Sequence, residues 1–240
     1  MERTLKNGFL VIQSASSRLL GLIPAIFIML FAYYTTFITL LTGSCYNFLF
    51  GEIHPKQPGY ILFMALFAVL MLAVIPLLVN KYVLRSSAHE MGLQIPKNKI
   101  SAILLTLAAL AVSIPAFLNL IQQPSIKQFY TFGPCNIYFF ISFQIFVFPV
   151  YYFAEELFFR GFVFLNLWKR IGWHSYWFGE FLFAIAHLGK PPLEIIISIP
   201  VGVLLNYITL RSRSVLPAFI VHTLIGMLIF TLINIRSVVW

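Results

Sequence analysis

The sequence predicts an all-α, polytopic integral membrane helix bundle with about seven transmembrane helices, within a range of six to eight. Of its 240 residues, 60% are hydrophobic and only 10% are charged, whereas soluble domains carry about 25% charged residues. Long stretches contain no charged residue, and a spanning helix needs roughly 20 mostly apolar residues. This composition excludes a soluble globular domain, a disordered chain and a small disulfide-bonded scaffold.

The apolar stretches define the predicted helices and two regions of the chain. The helices are expected at about 19–42, 59–80, 100–122, 135–168, 173–188, 194–210 and 214–235. The first is too long for a secretory signal and lacks a small-residue cleavage site, so we interpret it as an uncleaved span. Residues 1–134 then hold helices one to three and a cytoplasmic loop, and residues 135–240 hold helices four to seven.

The basic residues predict the orientation of these helices. Of the 16 Lys and Arg residues, eleven fall at helix ends on one side and four on the other, while Arg160 lies inside the fourth helix. Cytoplasmic loops carry the excess of Lys and Arg, so the N-terminus is predicted in the cytoplasm of a cell (inner) membrane. The net charge of +9 then indicates contact with anionic lipid. No nucleic-acid partner is predicted, because the chain has no soluble basic domain.

Two cysteines, Cys45 and Cys135, fall in loops on the predicted outer side. An oxidising compartment would allow a disulfide between them. Two unpaired thiols are the simpler interpretation, and the disulfide stays open as the alternative.

Acidic residues are few, and two of the seven are adjacent inside the fourth helix. Glu156 and Arg160 are spaced i and i+4 with the acid first, the favourable order for an ion pair on a helix. One arginine compensates one carboxylate, so Glu155 is left as a surplus acid. A structural ion pair is the alternative interpretation, but an extra intramembrane carboxylate indicates a functional site.

Two histidines are candidates to act with that carboxylate. His187 ends the fifth predicted helix and His222 lies in the seventh. Glu155 and His187 each lie 16 residues from Ile171, which places them at the same depth on two antiparallel helices. A carboxylate and an imidazole that share a water form a general base for hydrolysis. Glu180, seven residues before His187, is expected to reach the cytoplasmic interface.

Three motifs that follow one another between residues 150 and 226 carry a family resemblance. They are Glu155-Glu156-x-x-x-Arg160-Gly161, Phe183-x-x-x-His187, and a Ser214-x-x-Pro217 turn followed by His222. In this order, within membrane helices, they resemble the CPBP family. That family includes type II CAAX prenyl proteases and the bacteriocin-processing and immunity-associated Abi membrane proteins.

The resemblance implies an intramembrane glutamic protease that needs no metal ion and no cofactor. Glu155 would activate a water together with His187, while Glu156 and Arg160 would orient and charge-balance that base. The implied partners are a peptide or membrane-protein substrate and the lipid bilayer. The sequence does not indicate an oligomeric state.

The resemblance also assigns the remaining site residues. Phe183 would pack against the site, and His222 would hold the oxyanion of the tetrahedral intermediate. The family's last motif usually has Asn four residues after this histidine, but here that position is Gly226. Loss of such a donor costs about 10²–10³ in rate. Two groups could replace this donor: the side chain of Asn206 on the sixth predicted helix, or a water that occupies the space left by Gly226.

Three other functions stay open at this stage. Glu155, His187 and His222 are the right residue types for a His₂Glu zinc site, although no His-Glu-x-x-His helix is present. A catalytically weak or inactive protein with this fold could serve in bacteriocin immunity or as a scaffold. A transporter would need inverted repeats and broken helices, and we find no clear repeat.

Overall fold

A computed structural model describes residues 22–39, 41 and 58–239, and this part of the chain is an all-α bundle. Its helices are α1 (Leu22–Thr39), α2 (Gly59–Tyr82), α3 (Lys99–Leu120), α4 (Pro124–Tyr130), α5 (Ile137–Ile171), α6 (His174–Ala186), α7 (Pro192–Ser212) and α8 (Leu216–Asn234). Among the described residues, all except α4 and α6 are long and apolar enough to cross a membrane. The predicted all-α, multi-pass membrane bundle is therefore confirmed.

The fifth predicted helix is shorter than the sequence indicated. Its counterpart, α6, has 13 residues and is about 20 Å long at 1.5 Å per residue, less than the roughly 30 Å hydrocarbon layer. The loop residues before α5 contain α4, which the sequence analysis did not predict. Residues Cys135–Asn136 and Val238–Val239 form a short parallel strand pair, β1 and β2. The proposed Cys45–Cys135 disulfide involves Cys45, which lies outside the described residues.

Helix α5 carries the acidic motif through the centre of the bundle. Its segment Leu157–Leu165 is π-helical, and all nine residues of that segment are buried. Phe158 and Phe162 stack with parallel rings in the main apolar core. Because π-helical turns inside α-helices are frequent at functional sites, the geometry marks this part of α5. It also means that Arg160, inside the segment, is surrounded by protein.

The Ser-x-x-Pro motif forms the turn that begins α8. The Ser214 hydroxyl donates to the Gln94 carbonyl and accepts a hydrogen bond from the Leu216 N–H at 3.2 Å. The Val215 N–H donates to the Gly92 carbonyl at 3.0 Å. A serine near a helix start satisfies free N–H groups, and proline suits the first turn. This turn therefore fixes where α8 begins, and with it the position of His222.

Gly161, the residue after Arg160, allows a backbone from the α2–α3 loop to approach α5. A Cβ at this position would lie 2.6 Å from the Met91 carbonyl oxygen, a contact that only a backbone shift relieves. We expect Gly161→Ala to lower the free energy of unfolding by about 1–3 kcal/mol, the usual cost of overpacking. Thermal unfolding in detergent measures the effect.

Gly179→Ala is the matched control for this prediction. A Cβ there would lie 3.7 Å from the nearest side-chain atom, the amide nitrogen of Asn206, which is an ordinary contact. Alanine also has the higher helix propensity, so Gly179→Ala should leave the melting temperature unchanged or raise it. Equal melting temperatures for Gly161→Ala and the wild type would contradict the close approach.

Candidate active site

The acidic motif forms a buried ion pair on α5. The Arg160 Nε lies 3.1 Å from the Glu156 Oε2, and both side chains are at most 1% exposed. The guanidinium carbon lies 4.0 Å from the Phe183 ring centroid, within cation–π range. In the described part of the chain, the two terminal guanidinium nitrogens have no hydrogen-bond partner. Arg160 is therefore fixed by one carboxylate and one aromatic face.

His222 on α8 bridges to both glutamates. Its Nδ1 lies 2.6 Å from the Glu156 Oε1 and 3.9 Å from the Glu155 Oε2. The shorter contact is a hydrogen bond, and the ring Nδ1 is the donor because an ionised carboxylate only accepts. Glu156 thus binds Arg160 through one oxygen and His222 through the other. Its position is fixed by two groups from two helices.

His187 follows the last residue of α6 and is held by the end of that helix. Its Nδ1 lies 2.8 Å from the Phe183 carbonyl oxygen. A carbonyl only accepts, so Nδ1 carries the hydrogen and the Nε2 of a neutral ring is left as an acceptor. The Phe183 ring packs edge-on against the imidazole, with 4.6 Å between ring centroids. Phe183 therefore holds His187 through both its carbonyl and its ring.

Two cavities flank this cluster. The first, about 50 Å³, is lined by both histidines and by Tyr152, Lys190 and Gly226, among others. The second, about 170 Å³, is lined by Glu155 together with residues of α1, α2, α5 and α6. Each has room for at least one water molecule.

Sequence neighbours line the two cavities. Tyr151 and Ala186 line the larger cavity, whereas Tyr152 and His187 line the smaller one. The structure thus gathers Glu155, Glu156, Arg160 and His222 into one buried cluster. His187 lines the smaller cavity together with His222, whereas Glu155 lines the larger one.

Asn206 and Glu180 form a separate buried pair. The Asn206 amide donates to the Glu180 Oε1, so this amide is engaged away from the small cavity. Glu180 is 4% exposed and its carboxylate lies against Gly202. The expectation that Glu180 reaches the interface was therefore wrong, because the absent side chain of Gly202 leaves room for the acid between α6 and α7.

The sequence analysis missed a second polar cluster beside the small cavity. The Lys190 Nζ lies 2.9 Å from the Glu194 Oε1, and the Tyr130 hydroxyl donates to the same oxygen at 2.6 Å. The i and i+4 spacing of Lys190 and Glu194 was a usable signal. Lys190 therefore lines the small cavity from the loop between α6 and α7, with about one-third of its side chain exposed.

The described residues contain no group of three or more His, Cys, Asp or Glu side chains placed to hold a metal ion. Glu155, His187 and His222 are thus not gathered as a three-ligand set. The hydrogen bond from His187 to the Phe183 carbonyl leaves only its second ring nitrogen as a possible ligand.

The sequence was compared with models of known protein families. Residues 136–228 match the family model described as "Type II CAAX prenyl endopeptidase Rce1-like". This match supports CPBP family membership for the segment that carries the three motifs. All three motifs, and Gly226, lie inside the matched segment, which runs from α5 into α8. Comparisons with curated proteins and with solved structures found no match.

The family match has two direct consequences. The match implies peptidase activity in general, and the six described helices that are long and apolar enough to cross a membrane agree with a multi-pass membrane protein. Its substrates are correspondingly proteins or peptides that meet the protein in a lipid bilayer.

Proposed function

We propose that this protein is an intramembrane, metal-independent glutamic endopeptidase. It would hydrolyse a peptide bond of a membrane-associated peptide or protein through a water activated by Glu155 and His187. The observation that carries the proposal is the buried cluster in which Glu156 binds both Arg160 and His222 while Glu155 stays unpaired by arginine. Cavities large enough for water lie on both sides of it.

The charges of the cluster support this assignment. Arg160 pairs with Glu156, and the His222 Nδ1 lies within 4 Å of both glutamates. In the proposed mechanism the His222 ring therefore carries a hydrogen on each nitrogen. Both ring nitrogens of an imidazolium are donors. The Nδ1–H then binds Glu156, and the Nε2–H is available to a developing oxyanion.

The chemical step follows from these positions. Glu155 accepts a proton from water as the water oxygen bonds to the scissile carbonyl carbon, and the carbonyl π electrons move onto its oxygen. The oxyanion is held by His222 in the small cavity. As the carbonyl re-forms, the carbon–nitrogen bond breaks and Glu155 returns the proton to the leaving amine. We assign His187 the role of positioning that water together with Glu155, and Phe183 holds His187 through its carbonyl and its ring.

The excess of basic residues on one side supports a cytoplasmic N-terminus in the inner membrane. We also propose a division into an N-terminal region, 1–134, and a catalytic core, 135–240, that carries the three motifs. The family match falls within that core.

Cleavage assays test the proposal directly. The purified protein in detergent is incubated with lipid-modified CAAX-type peptides, leader peptides and single-span membrane peptides, and products are identified by mass spectrometry. We expect a single internal cleavage in at least one class, retained when a chelator is added. Cleavage that the chelator abolishes and zinc restores would support a metallopeptidase instead.

Gly226 favours one alternative, a catalytically weak or inactive protein that acts in bacteriocin immunity or as a scaffold. Its lack of a side-chain donor predicts a reduced rate. Absence of cleavage for every substrate class, with a folded protein, would favour this alternative.

A further inference from the structure

The family resemblance leads us to expect an asparagine at position 226, but the residue there is glycine. The space that the asparagine side chain would fill is occupied by Tyr152. A Cβ on Gly226 would lie 2.5 Å from both the Cε2 and the hydroxyl oxygen of Tyr152. The phenol therefore fills the volume in which a side chain at position 226 would start. A side chain at position 226 would overlap the Tyr152 ring, and glycine avoids that overlap.

The phenol is held beside the proposed oxyanion site. Its ring centroid lies 4.3 Å from that of His222, and it stacks on Phe148 at 5.5 Å on α5. Tyr152 is also one helical turn before Glu156, so both side chains project from the same face of α5. A ring fixed by an imidazole and by a second aromatic side chain presents its hydroxyl in a defined direction.

Tyr152 lines the same small cavity as His222, and its hydroxyl lies beside Gly226, which also lines that cavity. Tyr152, His187, His222 and Gly226 all line that cavity of about 50 Å³. Among the described residues, no hydrogen bond to the Tyr152 hydroxyl is found, whereas the nearby Tyr130 hydroxyl is bound to Glu194. The O–H of Tyr152 is thus a donor without a described acceptor, at the edge of a cavity sized for an oxygen atom or a water.

We propose that Tyr152 is the second oxyanion donor of this enzyme, replacing the asparagine that Gly226 lacks. This inference rests on the proposed peptidase function. During attack on the scissile carbonyl, the oxygen that gains the π electron pair receives hydrogen bonds from the His222 Nε2–H and the Tyr152 O–H. No proton leaves Tyr152, and the donor acts where negative charge develops, which is where such groups accelerate acyl transfer.

Two substitutions that exchange the donor test the proposal. Tyr152→Phe keeps the ring and removes the hydroxyl, and kcat should fall about 10²–10³-fold. KM should change less than about threefold, since a donor used only in the transition state leaves substrate binding intact. Tyr207→Phe, on the exposed side of α7, is the matched control and should retain wild-type kcat.

The reciprocal exchange distinguishes a catalytic role from a packing role. Tyr152→Ala should lose activity as Tyr152→Phe does, and adding Gly226→Asn to it should recover at least about tenfold in kcat, because the amide then enters the vacated space. Gly226→Asn alone should lower the melting temperature, since its Cβ meets the phenol. Melting temperatures of all variants separate lost folding from lost catalysis.

The outcomes separate this inference from the function on which it rests. If the wild type cleaves and Tyr152→Phe cleaves with the same kcat, the role of Tyr152 is overturned while the peptidase function stands. If the folded wild type cleaves no substrate class, the proposed function fails and the role of Tyr152 fails with it. Recovery in the Tyr152→Ala, Gly226→Asn double variant supports both.

Discussion

Replacing Glu155 by glutamine is expected to lower peptide cleavage by about 10²–10⁴-fold, the usual contribution of a positioned general base. Glutamine has nearly the same shape, but its amide cannot accept the proton of the attacking water. Glu155 is 6% exposed, and among the described residues Arg160 pairs with Glu156, so the substitution leaves that buried ion pair intact and removes only the longer contact to the His222 Nδ1 at 3.9 Å. The initial rate of product formation, measured by mass spectrometry, reports the change.

Glu180→Gln is the matched control for this substitution. Glu180 is a second buried glutamate of the bundle, paired with Asn206 and outside both cavities of the candidate site. Its replacement should leave kcat close to that of the wild type. Equal loss of activity in both variants would indicate that any buried carboxylate is needed for folding, and would contradict the assignment of Glu155 as the base.

Replacing Arg160 by methionine is expected to lower the free energy of unfolding by about 3–5 kcal/mol. Arg160 is the partner of Glu156 at 3.1 Å inside a fully buried segment. Removing one member of a buried pair leaves the other charge uncompensated, which costs about that much. Methionine keeps the length and apolar volume of the side chain. Unfolding of the purified protein in mixed micelles gives the free energy.

Lys169→Met tests whether the stability loss in Arg160→Met comes from the burial of the ion pair and not from the loss of an ion pair as such. Lys169 lies on the same helix, at 3.1 Å from Glu90, but both side chains are about one-third exposed or more. Exposed pairs contribute about 0–1 kcal/mol, so the expected loss is correspondingly small.

The double variant Glu156→Gln, Arg160→Met isolates the charge effect in a second way. It removes the acid that Arg160→Met leaves behind, so it should be more stable than the single variant. Activity should not return, because His222 loses the carboxylate that holds its Nδ1. A double variant less stable than Arg160→Met would argue that packing, not charge, explains the loss.

The helices were predictable because hydropathy and helical spacing are local properties. Long apolar stretches with few charges correspond to six of the predicted helices, and the i and i+4 spacing of Glu156 and Arg160 corresponds to the ion pair in the structure. The position of α6, His174–Ala186, was predicted to within two residues, but its interpretation as a membrane span was not supported. Aromatic and apolar residues are common both in a membrane-spanning helix and in one packed between neighbours, so composition did not distinguish the two.

The long-range pairings of the site were not predictable in the same way. No local sequence pattern indicates that His222 binds Glu156 in preference to Glu155. His222 and Glu156 are 66 residues apart and lie on different helices. The burial of Glu180 was missed because the space for it is provided by Gly202, on another helix. The same holds for Tyr152, whose relation to Gly226 depends on how α5 and α8 approach each other.

By itself, the sequence determined the membrane-bundle class, the helix positions and the identity of one surplus carboxylate, since each follows from composition or from spacing along one helix. The tertiary structure alone decided which donors surround that carboxylate, that Asn206 is engaged elsewhere, and that a phenol occupies the space beside Gly226. Hydrogen bonds and steric exclusion between helices act over a few ångströms, and only packing brings residues from distant parts of the chain that close.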